Sequence, residues 1–147
     1  MQDYRHGAHT VFAIHLHIVW ITKYRRPAIV GEVGLRARDL IREVAANEGV
    51  TILKGHVSRD HVHLFVSVPP QISVSRLVQR LKGKSSYKLI QEFEHLRKRF
   101  WGRHLWARGY FCCSSGNVTD EHVKAYIENQ GLEKDEDFRV EGEEGGP

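Results

Sequence analysis

The 147-residue sequence has few cysteines and no long uninterrupted apolar run. Its two cysteines, Cys112 and Cys113, are adjacent, which excludes the disulfide framework of many small secreted domains. The longest apolar-leaning run, residues 11–21, contains His15 and His17 and is shorter than the roughly 20 residues of a transmembrane helix. The first segment, MQDYRHGAHT, has no signal-peptide apolar core. We therefore expect a single cytoplasmic domain in a reducing compartment, without a membrane partner.

Acidic residues are scarce over most of the chain. Residues 1–131 contain 20 bases and 11 acids, a net charge of +9, whereas residues 132–147 contain two bases and seven acids, a net charge of −5. The basic body favours a polyanionic partner, most often nucleic acid, although a solvated surface explains the charge equally well. The acidic end is rich in glycine and charge, which predicts disorder. We therefore expect a folded domain over residues 1–131 and a disordered acidic tail over residues 132–147.

Hydrophobic periodicity predicts four strands and three helices. Alternating patterns favour strands at residues 11–21, 50–57, 61–68 and 110–115. Helical spacing favours helices at residues 33–48, 73–98 and 119–131, with a bend or break at Gly83 in the second. The order β-α-β-β-α-β-α predicts an α+β, ferredoxin-like (split βαβ) sandwich with an additional C-terminal helix.

Two histidines flank a valine in the segment RDHVHLFV, residues 59–66. Since strand side chains alternate between faces, His61 and His63 are expected on the same side of the sheet. Neutral imidazole is the commonest metal ligand in proteins, so the two rings can bind one ion. An isolated pair of this kind also occurs on ordinary strands, and the motif by itself leaves both interpretations open.

The last predicted helix carries His122, Tyr126 and Gln130 at intervals of four residues, so they share one face. A tyrosine hydroxyl can attack phosphorus when a cation polarises the phosphate, and Gln130 can add a carbonyl oxygen to two imidazoles. A helical tyrosine is more often a packing residue, and His122 is equally well an exposed helix residue. Function therefore depends on whether this helix meets the histidine pair.

Basic residues recur in three places that suit contact with DNA. One is the turn TKYRRP, another is a ridge with a four-residue period on the second helix, and the third is the aromatic-rich segment RFWGRHLWARGYF, residues 99–111. A solvated helix face and a core-capping connection are the alternatives for the last two. The predicted DNA-binding residues are Arg25, Arg26, Arg76, Arg80, Lys84, Lys88, Arg103 and Arg108.

Five segments together resemble the single-tyrosine HUH transposases (TnpA-like) of small bacterial insertion sequences, in which U is a bulky apolar residue between two histidines. In chain order they are HLHIVWITKYRRP, DHVHLFVSVPP, RLKGKSSYKL, WGRHLWARGYF and AYIENQ. The resemblance implies that His61, His63 and Gln130 bind a metal ion and that Tyr126 is the nucleophile. A site with imidazole, amide and phosphate oxygen ligands suits Mg²⁺ (or Mn²⁺).

The resemblance also implies a reaction and partners. The expected reaction is cleavage and rejoining of single-stranded DNA at the ends of an insertion sequence through a 5′-phosphotyrosine. The expected partners are single-stranded DNA with hairpin ends and a second copy of the chain, in a homodimer whose subunits share active sites. Because ligand imidazoles must be neutral, activity is expected to decline through about pH 6.

Three other functions compete with this one. A non-catalytic single-stranded nucleic-acid-binding module with a ferredoxin-like sheet has the same order of elements, although the usual sequence signature of such RNA-binding sheets is absent. A histidine-triad nucleotide hydrolase would need a third histidine where Phe65 stands. A structural metal site would need four Cys or His ligands in a cluster, which the sequence does not show.

Overall fold

A computed structural model describes residues 5–6, 11–12, 14–114 and 138–141 of the chain. Short 3-10 turns at residues 23–25 and 101–103 accompany the regular elements. In chain order these elements are β1 (Arg5–His6), β2 (Val11–Phe12), β3 (His15–Ile21), α1 (Gly31–Asn47), β4 (Thr51–Ser58), β5 (His61–Ser67), α2 (Val74–Glu92), α3 (Glu94–Arg99), β6 (Phe111–Ser114) and β7 (Phe138–Val140). In these ranges, no helix combines the length and the apolarity needed to cross a bilayer.

The main sheet has five strands in the order β6-β3-β5-β4-β7. Strand β5 pairs antiparallel with both β3 and β4, and β6 pairs antiparallel with β3. The connection from β3 through α1 to β4 therefore leaves room for β5 between its two strands, which is the split βαβ arrangement. The predicted α+β, ferredoxin-like class is confirmed, while the additional helix predicted at residues 119–131 lies outside the described residues.

One face of the sheet forms the core with the helices. Val62, Leu64 and Val66 of β5 are buried in the same cluster as Leu77 and Leu81 of α2. Because Val62, Leu64 and Val66 are two residues apart along the strand, all three side chains lie on this face. Helix α1 also contributes buried apolar residues to the cluster. The intervening β5 residues consequently point to the opposite face, and they include the predicted metal ligands His61 and His63.

The predicted helix over residues 73–98 is two helices, and the break is at Phe93 rather than at Gly83. Phe93 has extended backbone angles and separates α2 from α3, whereas α2 continues through Gly83 without interruption. The side chain of Arg97 donates hydrogen bonds to the carbonyl oxygens of Ile90 and Gln91. Because these carbonyls lie at the end of α2, the guanidinium satisfies groups that would otherwise lack partners and stabilises the break.

The first predicted strand is also divided. Residues 11–12 form β2, which pairs with β1 in a separate two-stranded ladder, and the main sheet takes up the chain from His15. Every β3 residue from His15 to Ile21 has a partner in β5. The alternating pattern at residues 11–21 therefore predicted extended structure correctly but merged two strands into one.

The predicted disorder of residues 132–147 is wrong for residues 138–140. These residues form β7, which pairs parallel with β4 at the edge of the sheet. The rings and methyl groups of Phe138 and Val140 are buried. They fit because the chain has glycines opposite them: a Cβ at Gly55 would lie 2.6 Å from the Phe138 ring, and a Cβ at Gly34 would lie 2.5 Å from Val140. Two apolar residues in an acidic segment are enough to dock it.

Candidate metal and DNA site

The sheet face opposite the helices is rich in imidazole. Directly opposed residues of paired strands point to the same face, and His63 of β5 lies opposite His56 of β4 and Val19 of β3. By the same register, His17 lies opposite Phe65. Five histidines of the described residues share this face, namely His15, His17, His56, His61 and His63.

His61 is held by the carboxylate that precedes it. Its Nδ1 lies 3.0 Å from Oδ1 of Asp60, and the side chains of both residues are almost fully buried. Burial lowers the pKa of His61, and the hydrogen bond with Asp60 opposes this effect. The other ring nitrogen, Nε2, is buried and has no hydrogen-bond partner among the described residues. Metal-binding histidines in proteins usually donate their second ring nitrogen to a carboxylate in this way.

His63 contacts another imidazole instead of a carboxylate. Its Nε2 lies 3.0 Å from Nδ1 of His17, so one ring donates to the other, and the His17 ring stacks on Phe65 at a centroid distance of 4.6 Å. Burial, with a further contribution from His17, lowers the pKa of His63 to about 3. The imidazole is therefore neutral at physiological pH. Its Nδ1 is buried and lacks a hydrogen-bond partner in the described part of the chain.

The histidine pair fits part of a metal site. Both rings are neutral and each has a buried nitrogen without a partner, which a cation can satisfy. No group of three or more His, Cys, Asp or Glu side chains comes together as a metal site within residues 14–114 and 138–141. Tyr126, Gln130 and His122 lie outside the described residues, so the expected third ligand and the nucleophile stay predictions.

The turn at residues 22–26 lies directly beside Asp60. The backbone nitrogen of Thr22 donates to the carbonyl oxygen of Asp60 over 2.9 Å. Tyr24 and Arg25 follow with φ angles of 59° and 55°, which are uncommon for residues other than glycine. This conformation brings a guanidinium nitrogen of Arg25 to 3.5 Å from Oδ2 of Asp60. Asp60 thus joins a predicted DNA-binding residue to a predicted metal ligand.

Arg26, the second predicted DNA-binding residue of this turn, is engaged within the chain. Its guanidinium lies 5.4 Å from the centroid of the Tyr24 ring and 5.6 Å from that of Phe100, and it donates to the carbonyl oxygen of Arg99. Cation–π contacts of this kind hold a side chain in place without neutralising its charge. Arg26 consequently tethers the turn to the end of α3.

The predicted ridge on α2 is partly paired with acids. Arg80 lies 3.3 Å from a carboxylate oxygen of Glu48, and Lys84 lies 3.0 Å from one of Glu43. Both acids belong to α1 or its carboxyl end, so these pairs lie along the contact between the two helices. Among the described residues, neither Arg76 nor Lys88 forms an ion pair. The four cations are therefore not equivalent.

The aromatic-rich segment divides into a buried and an exposed part. Trp106 is buried against Trp20, and its Nε1 donates to the hydroxyl of Ser85 on α2. Trp101 is 90% exposed. The predicted DNA-binding residue Arg108 lies in an exposed stretch, and Arg103 lies in the turn at residues 101–103. The core-packing alternative is confirmed for Trp106, and contact of the exposed residues with DNA stays a prediction.

Sequence reasoning missed three residues of this region. Asp60 lies between the strands predicted at residues 50–57 and 61–68, and a carboxylate directly before the first histidine is a usable signal. His17 was noted as a strand residue and its contact with His63 was not foreseen, because it depends on the pairing of β3 with β5. The exposed Tyr24 was not singled out, since nothing in its sequence context indicates a positive φ angle.

Comparisons with known proteins give a consistent result. The family model described as "Transposase IS200 like" matches residues 10–130. The ISDra2 transposase TnpA of Deinococcus radiodurans is 32% identical over 128 residues, which cover 87% of this chain and 91% of that protein. The transposase for insertion sequence element IS200 of Salmonella typhimurium is 36% identical over 135 residues, which cover 92% of this chain and 88% of that protein.

Two solved structures share the fold. A candidate transposase from Deinococcus radiodurans R1 aligns with a TM-score of 0.78 at 32% identity, over 88% of this chain and 99% of that one. A REP-associated tyrosine transposase bound to a REP hairpin aligns with a TM-score of 0.57 at 13% identity, over 90% of this chain and 76% of that one. The second likeness concerns the fold alone.

Proposed function

The chain belongs to the family of IS200-like transposases, and from this premise we propose that it cleaves and rejoins single-stranded DNA at the ends of an insertion sequence. The observation that carries the proposal is the buried His61, whose Nδ1 is held by Asp60 and whose Nε2 has no hydrogen-bond partner among the described residues. A buried, neutral imidazole with one free nitrogen suits a cation that holds a phosphate.

In this proposal, His61 and His63 bind a divalent cation, Mg²⁺ or Mn²⁺, with Gln130 as a third ligand. When bound, such a cation polarises a phosphate oxygen and so makes the phosphorus more susceptible to attack. The chain supplies the orientation: Asp60 holds the ring of His61, and His17 holds the ring of His63. The ring of His17 is in turn stacked on Phe65. Burial keeps both imidazoles neutral and therefore able to act as ligands.

Tyr126 is the proposed nucleophile. Its hydroxyl oxygen forms a bond to the scissile phosphorus, the bond from phosphorus to the 3′ oxygen breaks, and the phenolic proton ends on the released 3′-hydroxyl. The product is a 5′-phosphotyrosine, and attack by another 3′-hydroxyl reverses the step and rejoins the strands. Since one phosphodiester replaces another, no nucleotide cofactor is required.

The open face of the sheet supports a meeting of Tyr126 with the histidines. Among the described residues, the helices pack on the opposite face of the sheet. The histidine face can therefore receive the segment that carries Tyr126, from this chain or from a second copy.

The proposed partner is single-stranded DNA with hairpin ends. The solved structure with the lower identity holds a REP hairpin, and the basic residues of this chain offer phosphate contacts at Arg76, Lys88, Arg103 and Arg108. The other predicted contacts, Arg25, Arg26, Arg80 and Lys84, are weaker candidates because they already contact groups of the chain. We place the protein in the cytoplasm, where Cys112 and Cys113 would stay reduced, as the free thiols require.

A homodimer with shared sites is the proposed assembly. Mixing Tyr126→Phe with His61→Ala protein would then restore cleavage, because one composite site in the mixed dimer keeps both its tyrosine and its histidine. A mixture as inactive as its two components would contradict sharing and would leave each site within one subunit.

The direct test is a search for a covalent adduct. The protein is incubated with 5′- or 3′-labelled single-stranded element ends and Mg²⁺ or Mn²⁺, then separated on a denaturing gel. The proposal expects a slowly migrating adduct on the strand with the new 5′ end, absent with Tyr126→Phe, with His61→Ala and in the presence of EDTA. DNA binding without any adduct would instead support the non-catalytic binding module.

A further inference from the structure

Two neighbouring cavities open beside the turn at residues 22–26. One has a volume of about 380 Å³ and is lined in part by Tyr24, and the other has a volume of about 290 Å³ and is lined in part by Tyr87. His104 and Trp106 line both. The two cavities therefore adjoin at these shared residues, and we call them together the aromatic groove.

Tyr24 stands at one end of the aromatic groove in a conformation that the chain enforces. Its side chain is 75% exposed and its backbone is left-handed, with a φ of 59°. The hydroxyl of Thr22 donates to the carbonyl oxygen of Arg26 over 2.8 Å. The backbone nitrogen of Lys23 donates to the carbonyl oxygen of Leu105 over 2.9 Å. The ring contacts the cations of Lys23 and Arg26 and is otherwise open to solvent. Strained backbone of this kind is concentrated at functional sites.

Tyr87 stands at the other end, 55% exposed on α2. The floor between the two rings is rigid, because Lys82 donates to the carbonyl oxygens of Ala107 and Gly109 over 2.7 and 2.9 Å. Burial lowers the pKa of Lys82, but its amine is committed to these carbonyls, and its role is structural. The other cations that line the groove are the half-buried Lys23 and the exposed Arg108, at the Tyr24 end.

We propose that the aromatic groove binds an unpaired segment of DNA, with one base stacked on the ring of Tyr24 and another on the ring of Tyr87. The proposal rests on the proposed function and adds to it the place where the single strand lies. Exposed aromatic rings beside cations are the combination that binds single strands regardless of sequence, since every base has a stacking face. Lys23 and Arg108 can neutralise the phosphates between the bases.

The groove is close to the histidine site along the backbone. Thr22 donates to Asp60 and also forms an isolated bridge with Trp106, so one residue joins the floor of the groove to the residue that holds His61. The residue opposite His61 in the adjacent strand, Ile21, accepts a hydrogen bond from the nitrogen of Ala107. Single-stranded DNA in the aromatic groove would therefore lie next to the end of the sheet at which His61 lies.

The test measures binding separately from cleavage. Fluorescence anisotropy with a labelled oligothymidine and the full-length protein, in EDTA and at one salt concentration, reports binding when no metal-dependent cleavage can occur. Tyr24→Ala and Tyr87→Ala are each expected to weaken binding about ten-fold, the loss of one stacked base. Tyr24→Phe and Tyr87→Phe keep the ring and are expected to bind like the unchanged protein.

His95→Ala is the matched control, because His95 carries an exposed ring on α3 and lines neither cavity. Equal losses in His95→Ala and Tyr24→Ala, or no loss in either tyrosine variant, would overturn the groove. So would equal weakening of fully duplex DNA, since stacking needs unpaired bases. If binding follows the groove variants but no tyrosine adduct ever forms with metal present, the groove stands and the proposed cleavage fails.

Discussion

Oδ1 of Asp60 and Nδ1 of His61 lie 3.0 Å apart, and both side chains are buried at the start of β5. The second carboxylate oxygen of Asp60 faces Arg25 at 3.5 Å, so the carboxylate is fixed from two sides. A fixed acceptor at Nδ1 selects the tautomer of His61 that carries its proton there. Nε2 is then left with a lone pair that is directed away from Asp60 and available to a cation.

Removal of the Asp60 carboxylate is therefore expected to weaken metal binding. Asp60→Ala should reduce the affinity for Mn²⁺ by about 10- to 100-fold, because the ring of His61 loses its orientation and part of its basicity. Asp60→Asn should have a smaller effect, since its amide oxygen can still accept from Nδ1. Isothermal titration of the metal-free protein measures this without reference to activity. Asp39→Asn, at an exposed position on α1, is the control. An unchanged affinity in Asp60→Ala would remove this residue from the metal site.

The buried imidazoles predict that acid destabilises the metal-free protein. Burial lowers the pKa of His61 and lowers that of His63 to about 3, from an ordinary value of 6.5. Between these values the unfolded chain binds more protons than the folded one, so the free energy of unfolding falls as the pH drops below about 6.5. Each histidine contributes at most about 1.4 kcal/mol per pH unit in that range.

Thermal unfolding between pH 7 and pH 4 measures this dependence, and His63→Phe should flatten it because the variant removes one of the groups. Identical pH profiles for the two proteins would contradict the prediction. Unperturbed imidazoles would become protonated and release a metal ion at about pH 6. Because the pKa values of His61 and His63 are lowered, we expect metal binding to be lost at a lower pH than this.

Much of the fold was predictable from periodicity, and the exceptions have local causes. The four main strands and the two helices packed on them follow from patterns that burial requires. The break at Phe93 was not predictable, because it depends on the side chain of Arg97 reaching back to α2. The docking of β7 was not predictable from composition, because a segment rich in charge favours disorder. Its docking depends on the glycines that contact Phe138 and Val140, and these are known only from the folded structure.

The candidate site was predictable to the extent that it lies on one strand. The alternation along β5 placed His61 and His63 together, because that relationship is local. Contacts between strands were not accessible in the same way: His17 reaches His63 through a register that only the folded sheet defines. The acids that pair with Arg80 and Lys84 lie on another helix, so a periodic ridge of charge overstated the number of cations available to DNA.

This difference between the ridge residues predicts unequal contributions to DNA binding. A plot of the logarithm of the affinity against the logarithm of the salt concentration has a negative slope. Replacing Arg76 and Lys88 with glutamine should make this slope less steep by about 1.5, if each side chain contacts one phosphate. Replacing Arg80 and Lys84 should change the slope less, because Glu48 and Glu43 already contact them and compete with phosphate. Anisotropy titrations at several salt concentrations compare the pairs. Equal slopes for both double variants would show that the internal ion pairs do not matter, and two unchanged slopes would remove the ridge from the interface.

The docked strand β7 predicts a sharp boundary in the effect of truncation. A chain that ends at residue 141 keeps the buried Phe138 and Val140 and the hydrogen bond from the nitrogen of Arg59 to the carboxylate of Glu141. A chain that ends at residue 137 loses all three and uncovers the β4 edge, and Phe138→Ala alone should cost about 3–5 kcal/mol.

Chemical denaturation is the measurement. The chain that ends at residue 141 is expected to keep the free energy of unfolding unchanged within about 0.5 kcal/mol, which is usual for surface changes. The chain that ends at residue 137 should lose at least as much of this free energy as Phe138→Ala, since that variant removes only part of what β7 buries. Gly55→Ala supplies an independent check, because its new methyl group would meet the Phe138 ring and should displace β7 without altering β7 itself. If the two truncated proteins were equally stable, the strand would contribute nothing to the sheet, and the acidic tail would begin at residue 132 as its composition suggests.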